Sequence, residues 1–150
     1  MKMFMCAAAL AAGLTLCASS GAQAQTAERV YDNGPVWVIN YVETKTGMFD
    51  DYMAYLSTKW RETNEADKKA GYVLDYKILA VDSPRDHEPD VILMVQYKNM
   101  AAFDRPLAEA EATSAKAFGS VVKSNQAFAS RDSMRSNRGN LTAREMKFIK

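Results

Sequence analysis

The sequence predicts a single α+β domain in which strands and helical regions follow one another as β-α-β-β-α-β. Runs of β-branched and aromatic residues alternate with two longer segments whose apolar residues recur at helical spacing. Two of the predicted strands are joined by a short turn that contains prolines. The chain has 150 residues, of which 48% are hydrophobic and 25% charged, and this is the composition of one globular domain.

The first strand and the first helix are predicted from a change of periodicity. Residues 36–42 (VWVINYV) are rich in β-branched and aromatic side chains, which favours a strand. From residue 48 to residue 70 the apolar side chains instead recur every three or four positions, which is the spacing of one helix face. Gly47 ends the strand region and Gly71 supplies a C-terminal cap, so we expect the helix between these two glycines.

A β-hairpin is predicted in the middle of the chain. Residues 72–81 and 90–97 each form a run rich in aliphatic and aromatic residues, which favours two strands. The intervening segment, residues 82–89 (DSPRDHEP), contains Pro84, Pro89 and several short polar side chains that are typical of turns. The two strands are therefore expected to pair antiparallel.

The C-terminal third is predicted to contain a second helical region and the last strand. Residues 107–129 are rich in alanine and are expected to be helical, with an interruption near Gly119. Residues 131–140 are polar and are expected to form a loop. Residues 144–149 are expected to form the fourth strand, at the end of the chain.

The N-terminus has the features of a secretory signal peptide. Lys2 precedes an apolar run of about fifteen residues, and Ala22-Gln23-Ala24 has the small-x-small pattern that signal peptidase cleaves. The apolar run is shorter than a transmembrane helix requires. We therefore expect residues 1–24 to be a signal peptide, residues 25–35 a polar leader and residues 36–150 the folded domain. The mature protein is expected in the periplasm or secreted.

Removal of the signal peptide changes the charge and the cysteine content. Cleavage after residue 24 of 150 would leave 126 residues with 18 cationic and 18 anionic side chains, because only Lys2 is lost. This balance gives no general attraction to nucleic acid or to an anionic membrane, so neither is an expected partner. Cys6 and Cys17 both lie in the signal peptide. With one histidine, His87, and no cysteine, we expect neither a metal centre nor a cofactor.

The predicted order is that of a ferredoxin-like fold, in which four antiparallel strands carry two helices on one face. In the first strand, apolar residues occupy both alternating positions, since Trp37 and Ile39 alternate with Val36 and Val38. The third strand shows the same pattern around Ile92. A sheet covered on one face only would leave its other apolar face in water. We therefore expect a homodimer whose sheets pack face to face.

Two short segments resemble a known family. Residues 40–49 (NYVETKTGMF) have the succession of strand, polar turn, glycine and helix, and residues 98–103 (KNMAAF) follow the third strand with a phenylalanine. Together with the element order, these segments resemble the dimeric α/β-barrel superfamily over residues 36–150, nearest to its antibiotic-biosynthesis monooxygenase-like branch and to uncharacterised exported members. The resemblance implies a ferredoxin-like domain that dimerises through its open sheet face into an α/β barrel.

The resemblance also bears on single residues. Oxygenases of the superfamily use an asparagine on the first strand, and Asn40 matches it in strand position and in spacing to Gly47. The haem-degrading branch requires a histidine on the second helix, whereas residues 106–118 contain none and have Lys116 near that place. The resemblance therefore does not imply haem.

Four residues are predicted to contact a ligand. Asn40 interrupts an apolar strand position, where its amide would orient a carbonyl or hydroxyl group unless it is satisfied within the sheet. Gln96 interrupts the third strand in the same way. Tyr41 and Tyr97 belong to an aromatic set that lines a pocket or else packs in the core or the dimer interface.

Other polar residues have two interpretations each. Asp75 and Lys77 either extend a polar strip with Asn40 and Gln96 or occupy the outer face of an edge strand. His87 lies among acidic residues and is either part of a weak cation site or a solvated turn residue. An arginine-rich segment either clasps an anionic ligand or partner carboxylate or is solvated, and it comprises Arg131, Arg135, Arg138 and Arg144.

These observations favour an exported, homodimeric domain that binds a small, mainly apolar ligand between sheet and helices. One alternative is a cofactor-independent oxygenase or isomerase, in which Asn40 positions an oxygen atom and Tyr41 or Tyr97 donates a proton. The other alternative is a structural or interaction module without a ligand. Whether the protein is an enzyme stays open at this point. A cavity of a few hundred Å³ is expected for the binding hypothesis and a filled interior for the interaction module.

Overall fold

The computed structural model describes residues 28–149 of the chain, and the predicted signal peptide lies outside them. Within this range four strands form one sheet in which every neighbouring pair is antiparallel. The strands are β1 (Tyr31–Thr44), β2 (Val73–Ala80), β3 (Val91–Tyr97) and β4 (Arg135–Phe148). Their spatial order is β2-β3-β1-β4, so the predicted α+β class, the antiparallel sheet and the β2–β3 hairpin are confirmed.

The helices lie in the two predicted regions. Helices α1 (Phe49–Tyr55) and α2 (Arg61–Lys69) are joined by a π-helical segment, Leu56–Trp60, so residues 49–69 are helical throughout. The second region is divided into α3 (Leu107–Phe118) and α4 (Val121–Ser130). Within residues 28–149 no helix has the length and hydropathy needed to cross a bilayer.

Gly119 explains the division between α3 and α4. Its φ angle of +86° is in the left-handed region, which ends α3 and which a residue with a side chain adopts only with strain. The hydroxyl of Ser120 then accepts a hydrogen bond from the backbone N–H of Lys123, at 3.1 Å, and so caps the first turn of α4. The predicted interruption near Gly119 is therefore confirmed.

Strand β4 is the clearest difference from the prediction. It begins at Arg135 rather than at residue 144, and the segment 131–140 that we expected as a loop consists of a 3₁₀ turn, Arg131–Ser133, followed by strand. Strand β1 likewise begins five residues earlier than expected, and Tyr31 pairs with Phe148. Polar residues are tolerated in β4 because it is an edge strand that is stabilised by main-chain hydrogen bonds to β1.

The two faces of the sheet are both apolar but differ in their cover. The face under the helices contributes Val42, Val91 and Leu93, which form the main core with Tyr52 and Leu56. These five residues are at most 5% exposed. Side chains on the other face, here called the open face, are exposed or partly exposed, and by strand alternation they are Trp37, Ile39, Tyr41, Leu79, Ile92, Met94, Gln96 and Leu141.

Candidate functional site

A cavity of about 380 Å³ lies between the sheet and the helices. Its floor is the covered face of the sheet, where Asn40, Leu93 and Val95 contribute side chains. Its volume lies in the range of small-molecule sites, roughly 300–1,000 Å³. Aromatic rings make up much of its wall and come from both helical regions and β3, namely Tyr52, Tyr55, Trp60, Tyr97, Phe118 and Phe128.

Two arginines line one side of this cavity. Arg131 is only 9% exposed and sits in the 3₁₀ turn after α4, while Arg135 is the first residue of β4. The guanidinium carbon of Arg131 lies 3.9 Å from the ring centre of Phe128 and 5.6 Å from that of Tyr55. The guanidinium carbon of Arg135 lies 6.0 Å from the ring centre of Tyr52. The guanidinium groups are therefore held by cation–π contacts with cavity-lining rings.

These arginines lack the partner that a buried cation usually has. Within residues 28–149 neither guanidinium forms a salt bridge or donates a hydrogen bond, and the Nε atom of each is buried without a partner. Burial lowers the pKa of Arg131, as expected for a cation removed from water. An arginine nevertheless stays charged at neutral pH, so the cavity carries positive charge.

Tyr52 contributes a third polar group. Its side chain is 0% exposed, and its hydroxyl has no hydrogen-bond partner among the described residues. Burial raises the pKa of Tyr52, and the charges of Arg135 and Arg131 partly oppose this effect. The hydroxyl therefore keeps its proton at neutral pH and can donate a hydrogen bond. Tyr52 also stacks with Tyr55, with ring centres 6.2 Å apart and planes 10° apart, and both residues line the cavity.

Replacement of Tyr52 by phenylalanine is expected to stabilise the protein in the absence of a ligand. A buried hydroxyl without a partner costs roughly 1–3 kcal/mol, and phenylalanine keeps the ring while removing this cost. We expect the free energy of unfolding in urea to rise by about 1 kcal/mol. A fall in that free energy would mean that the hydroxyl is satisfied in solution, for example by water.

The cavity lining also contains one member of an ion pair. Asp67 lines the cavity and accepts a hydrogen bond from Nη1 of Arg105 at 2.7 Å. Arg105 in turn stacks on the ring of Tyr72, 3.9 Å from its centre, and donates to the backbone carbonyl of Glu109. The two side chains are 14% and 19% exposed. The charge of Asp67 is therefore compensated, and it does not neutralise Arg131 or Arg135.

The four predicted ligand-contacting residues divide between the two faces of the sheet. Asn40 and Tyr97 both line the cavity, and no hydrogen bond engages the amide of Asn40 in the part of the chain that the structure describes. Burial raises the pKa of Tyr97, so its hydroxyl is protonated at neutral pH. Tyr41 and Gln96 lie on the open face, and Nε2 of Gln96 donates to Glu145 at 3.3 Å. The structure therefore brings together only two of the four.

Asp75 and Lys77 also lie on the open face, away from Asn40. Asp75 pairs with Gln96 in register and forms a salt bridge of 3.2 Å with Lys68. The ammonium group of Lys77 lies 5.4 Å from the ring centre of Trp37. Both residues belong to the edge strand β2, so no polar strip connects them to the cavity.

The remaining arginines and His87 lie outside the cavity. Arg138 donates hydrogen bonds to Glu43 and lies 3.1 Å from Nδ1 of His87. Arg144 is exposed. His87 is 73% exposed at its side chain and lies in the hairpin turn beside Asp86. Across residues 28–149, no cluster of three or more histidine, cysteine or acidic side chains is arranged to hold a metal ion.

The sequence pattern did not single out the three most distinctive residues of the site. Tyr52 falls within residues 48–70, where apolar side chains recur at helical spacing, but nothing in the local sequence indicates that its hydroxyl lacks a partner. Arg131 and Arg135 were predicted, together with Arg138 and Arg144, either to clasp an anion or to be solvated, and the sequence could not separate the first two from the others. The structure separates them, since Arg131 in the 3₁₀ turn and Arg135 at the start of β4 line the cavity, whereas Arg138 and Arg144 do not.

The fold is similar to two solved structures of bacterial proteins. HapK from Hahella chejuensis has a TM-score of 0.50 and 11% sequence identity, with 73% of this chain and 91% of that chain covered. Protein SO0527 from Shewanella oneidensis has a TM-score of 0.50 and 16% identity, with 78% and 98% covered. No protein-family model and no curated protein matches the sequence. At these identities the similarity shows the fold alone, a ferredoxin-like α+β fold.

Proposed function

We propose that this protein is a binding domain for a small molecule that occupies the cavity between the sheet and the helices. The observation that carries the proposal is the cavity itself, about 380 Å³ in volume and lined by aromatic rings. A domain that served only as a structural module would gain stability by filling such a volume with side chains. The apolar walls suit a largely apolar ligand, and Asn40 supplies an amide that no other described group engages.

The same proposal includes a homodimer formed through the open face. The apolar residues of that face are continuous across β2, β3, β1 and β4, from Leu79 through Ile92 and Ile39 to Leu141. Leu79 is 45% exposed and Leu141 is 39% exposed in the single chain. A second copy would remove this surface from water and would create the barrel of the dimeric α/β-barrel superfamily.

Export is a further part of the proposal. It rests on the sequence of residues 1–24, in which an apolar run is followed by Ala22-Gln23-Ala24. Expression of the full chain in a Gram-negative host is expected to give a periplasmic protein whose first residue is Gln25. Recovery of the uncleaved chain from the cytoplasm would contradict this part and would leave the cavity unaffected.

A cofactor-independent enzyme is the second candidate. The observation that favours it is the presence of two potential catalytic groups in one cavity, the amide of Asn40 and the protonated hydroxyl of Tyr97. An amide can orient the oxygen of a carbonyl group, and a neutral phenol can donate a proton. If the protein is an enzyme, Asn40→Ala should reduce the turnover of the bound molecule more than its affinity.

The proposed function is tested by blocking the cavity. Ser114 lines it from α3, and Ser114→Phe would place a ring in the empty volume. We expect native mass spectrometry of the purified protein to show a co-purified small molecule that is lost in this variant. The stability of the variant should be unchanged or higher, because the ring fills space.

The matched control is Ala112→Phe, which adds the same ring to the exposed side of the same helix. This variant should keep the co-purified molecule. If Ser114→Phe and Ala112→Phe retain it equally, the ligand is not in the cavity. If the parent protein carries no small molecule from any expression host, the interaction-module hypothesis gains support instead.

A further inference from the structure

We propose that the ligand is a flat, conjugated carboxylate whose carboxylate group is bound by Arg131, Arg135 and the hydroxyl of Tyr52. This inference rests on the proposed function and adds the chemical class of the ligand. It differs from a purely apolar ligand in one respect, since it requires a negative charge at one end of an otherwise apolar molecule.

The first argument is the lack of a counterion for two cations that line the cavity, Arg131, which is buried, and Arg135, which is partly buried. A guanidinium group that is removed from water is costly unless an anion or hydrogen-bond acceptors replace the water. Arg105 provides the comparison, because its Nη1 and Nη2 atoms have Asp67 at 2.7 Å and a backbone carbonyl at 3.0 Å as acceptors, although its Nε is also without a partner. Arg131 and Arg135 have neither kind of partner among the described residues, and both line the cavity. A bound anion would supply the missing acceptors.

The second argument is the type of donors that meet there. Arginine presents several N–H groups in one plane and binds a carboxylate through two parallel hydrogen bonds. The hydroxyl of Tyr52 is fully buried, lies in the same cavity lining and has a donor to offer. The guanidinium carbon of Arg135 lies 6.0 Å from the centre of the Tyr52 ring, and that of Arg131 lies 5.6 Å from the centre of the Tyr55 ring, which stacks with Tyr52. All three donors can therefore serve one anionic group.

The third argument is the charge around the arginines. Asp67 is the carboxylate that lines the cavity within the described residues, and Arg105 already neutralises it. Asp132 follows Arg131 in the chain but is exposed to solvent. Asp90 lies near Tyr52, but it accepts hydrogen bonds from the backbone N–H and the hydroxyl of Thr44. The two cavity arginines thus keep a net positive charge that attracts an anion.

The fourth argument concerns the shape of the ligand. Six aromatic side chains line the cavity, and they are Tyr52, Tyr55, Trp60, Tyr97, Phe118 and Phe128. A cavity rich in aromatic rings favours a flat, conjugated ligand that can stack against those rings. A conjugated carboxylate combines such a body with the planar anionic group that two guanidinium groups recognise.

The test uses two pairs of probes that differ in charge and little in shape, 2-naphthoate with 2-naphthamide and benzoate with benzamide. Binding to the purified protein is measured by isothermal titration calorimetry. We expect at least one carboxylate to bind tenfold or more tightly than its amide. Arg135→Gln should reduce this preference to about twofold or less, and Arg131→Gln should do the same. Arg144→Gln is the matched control, since it removes the same charge from an exposed position of the same strand.

The outcomes separate the two proposals. If carboxylate and amide bind equally to the parent protein, the anion inference is wrong and the proposed function stands. If the carboxylate is preferred but Arg144→Gln reduces the preference as much as Arg135→Gln, the preference arises from overall charge and the inference is also wrong. If no member of either pair binds and no molecule co-purifies, the proposed function fails as well. Arg135→Lys keeps the charge and should show an intermediate preference for the carboxylate. This result would show that the glutamine variants lose the preference through loss of charge and not through misfolding.

Discussion

Replacement of Ile39 by lysine is expected to prevent formation of the proposed homodimer and to leave a monomer. Ile39 lies on the central strand β1, on the open face, with Met94 of β3 and Leu141 of β4 as its neighbours in register. If two copies pack through this face, symmetry brings the substituted position of both copies into the interface. The interface would then have to bury two ammonium groups without partners, which weakens the dimer. The dissociation constant should rise roughly 100-fold or more, since each factor of ten corresponds to only about 1.4 kcal/mol.

The same substitution should leave the fold of the single chain intact. Ile39 is not part of the buried core, and a lysine on a face that is open to water can extend its ammonium group into solvent. The circular dichroism spectrum of the variant should therefore match that of the parent protein. This separates loss of the dimer from loss of the fold.

Sedimentation velocity at micromolar concentration provides the measurement. Val122→Lys is the control, because Val122 is 65% exposed on α4 and lies away from the open face. We expect the parent protein and Val122→Lys to sediment as dimers and Ile39→Lys as a monomer. A parent protein that sediments only as a monomer would contradict the dimer, and the barrel derived from it would be lost.

The sequence predicts that both faces of the sheet are apolar, but it does not predict which face the helices cover. The alternation in residues 36–42 is local, so it indicates a strand, and apolar residues at both positions indicate two apolar faces. The alternation does not show which set lies beneath the helices, since a shift by one residue exchanges the faces. For this reason Asn40 and Tyr41 were predicted together, although the structure separates them.

Strand β4 is a second element that the sequence predicts only in part. Its first half, residues 135–140 (RSNRGN), has neither apolar alternation nor β-branched residues. It is a strand because β1 offers a long row of backbone groups to pair with, from Thr44 opposite Arg135 to Tyr31 opposite Phe148. Such pairing is a tertiary effect. The position of Arg135 in the cavity depends on it and could not be predicted from local sequence.

Replacement of Arg105 by methionine is expected to destabilise the protein by about 3 kcal/mol, because removing one partner of a largely buried ion pair leaves the other charge uncompensated. Asp67 would be that charge, at 19% side-chain exposure and with its nearest cation gone. Methionine keeps an apolar contact with the ring of Tyr72, whereas the hydrogen bonds of Arg105 to Glu109 and Thr113 are lost, so a second variant is needed to isolate the charge. The free energy of unfolding in urea measures the destabilisation.

The double variant Arg105→Met, Asp67→Asn distinguishes this cause from a general disruption of the junction between α2 and α3. If the uncompensated carboxylate is responsible, neutralising it should restore all but about 1 kcal/mol of the lost stability. If packing around Tyr72 is responsible, the double variant should be as unstable as Arg105→Met.

The single variant has a second expected effect, since an unpaired carboxylate in the cavity would oppose the charge of Arg131 and Arg135. It should therefore weaken the binding of 2-naphthoate more than that of 2-naphthamide, and the double variant should reverse this change.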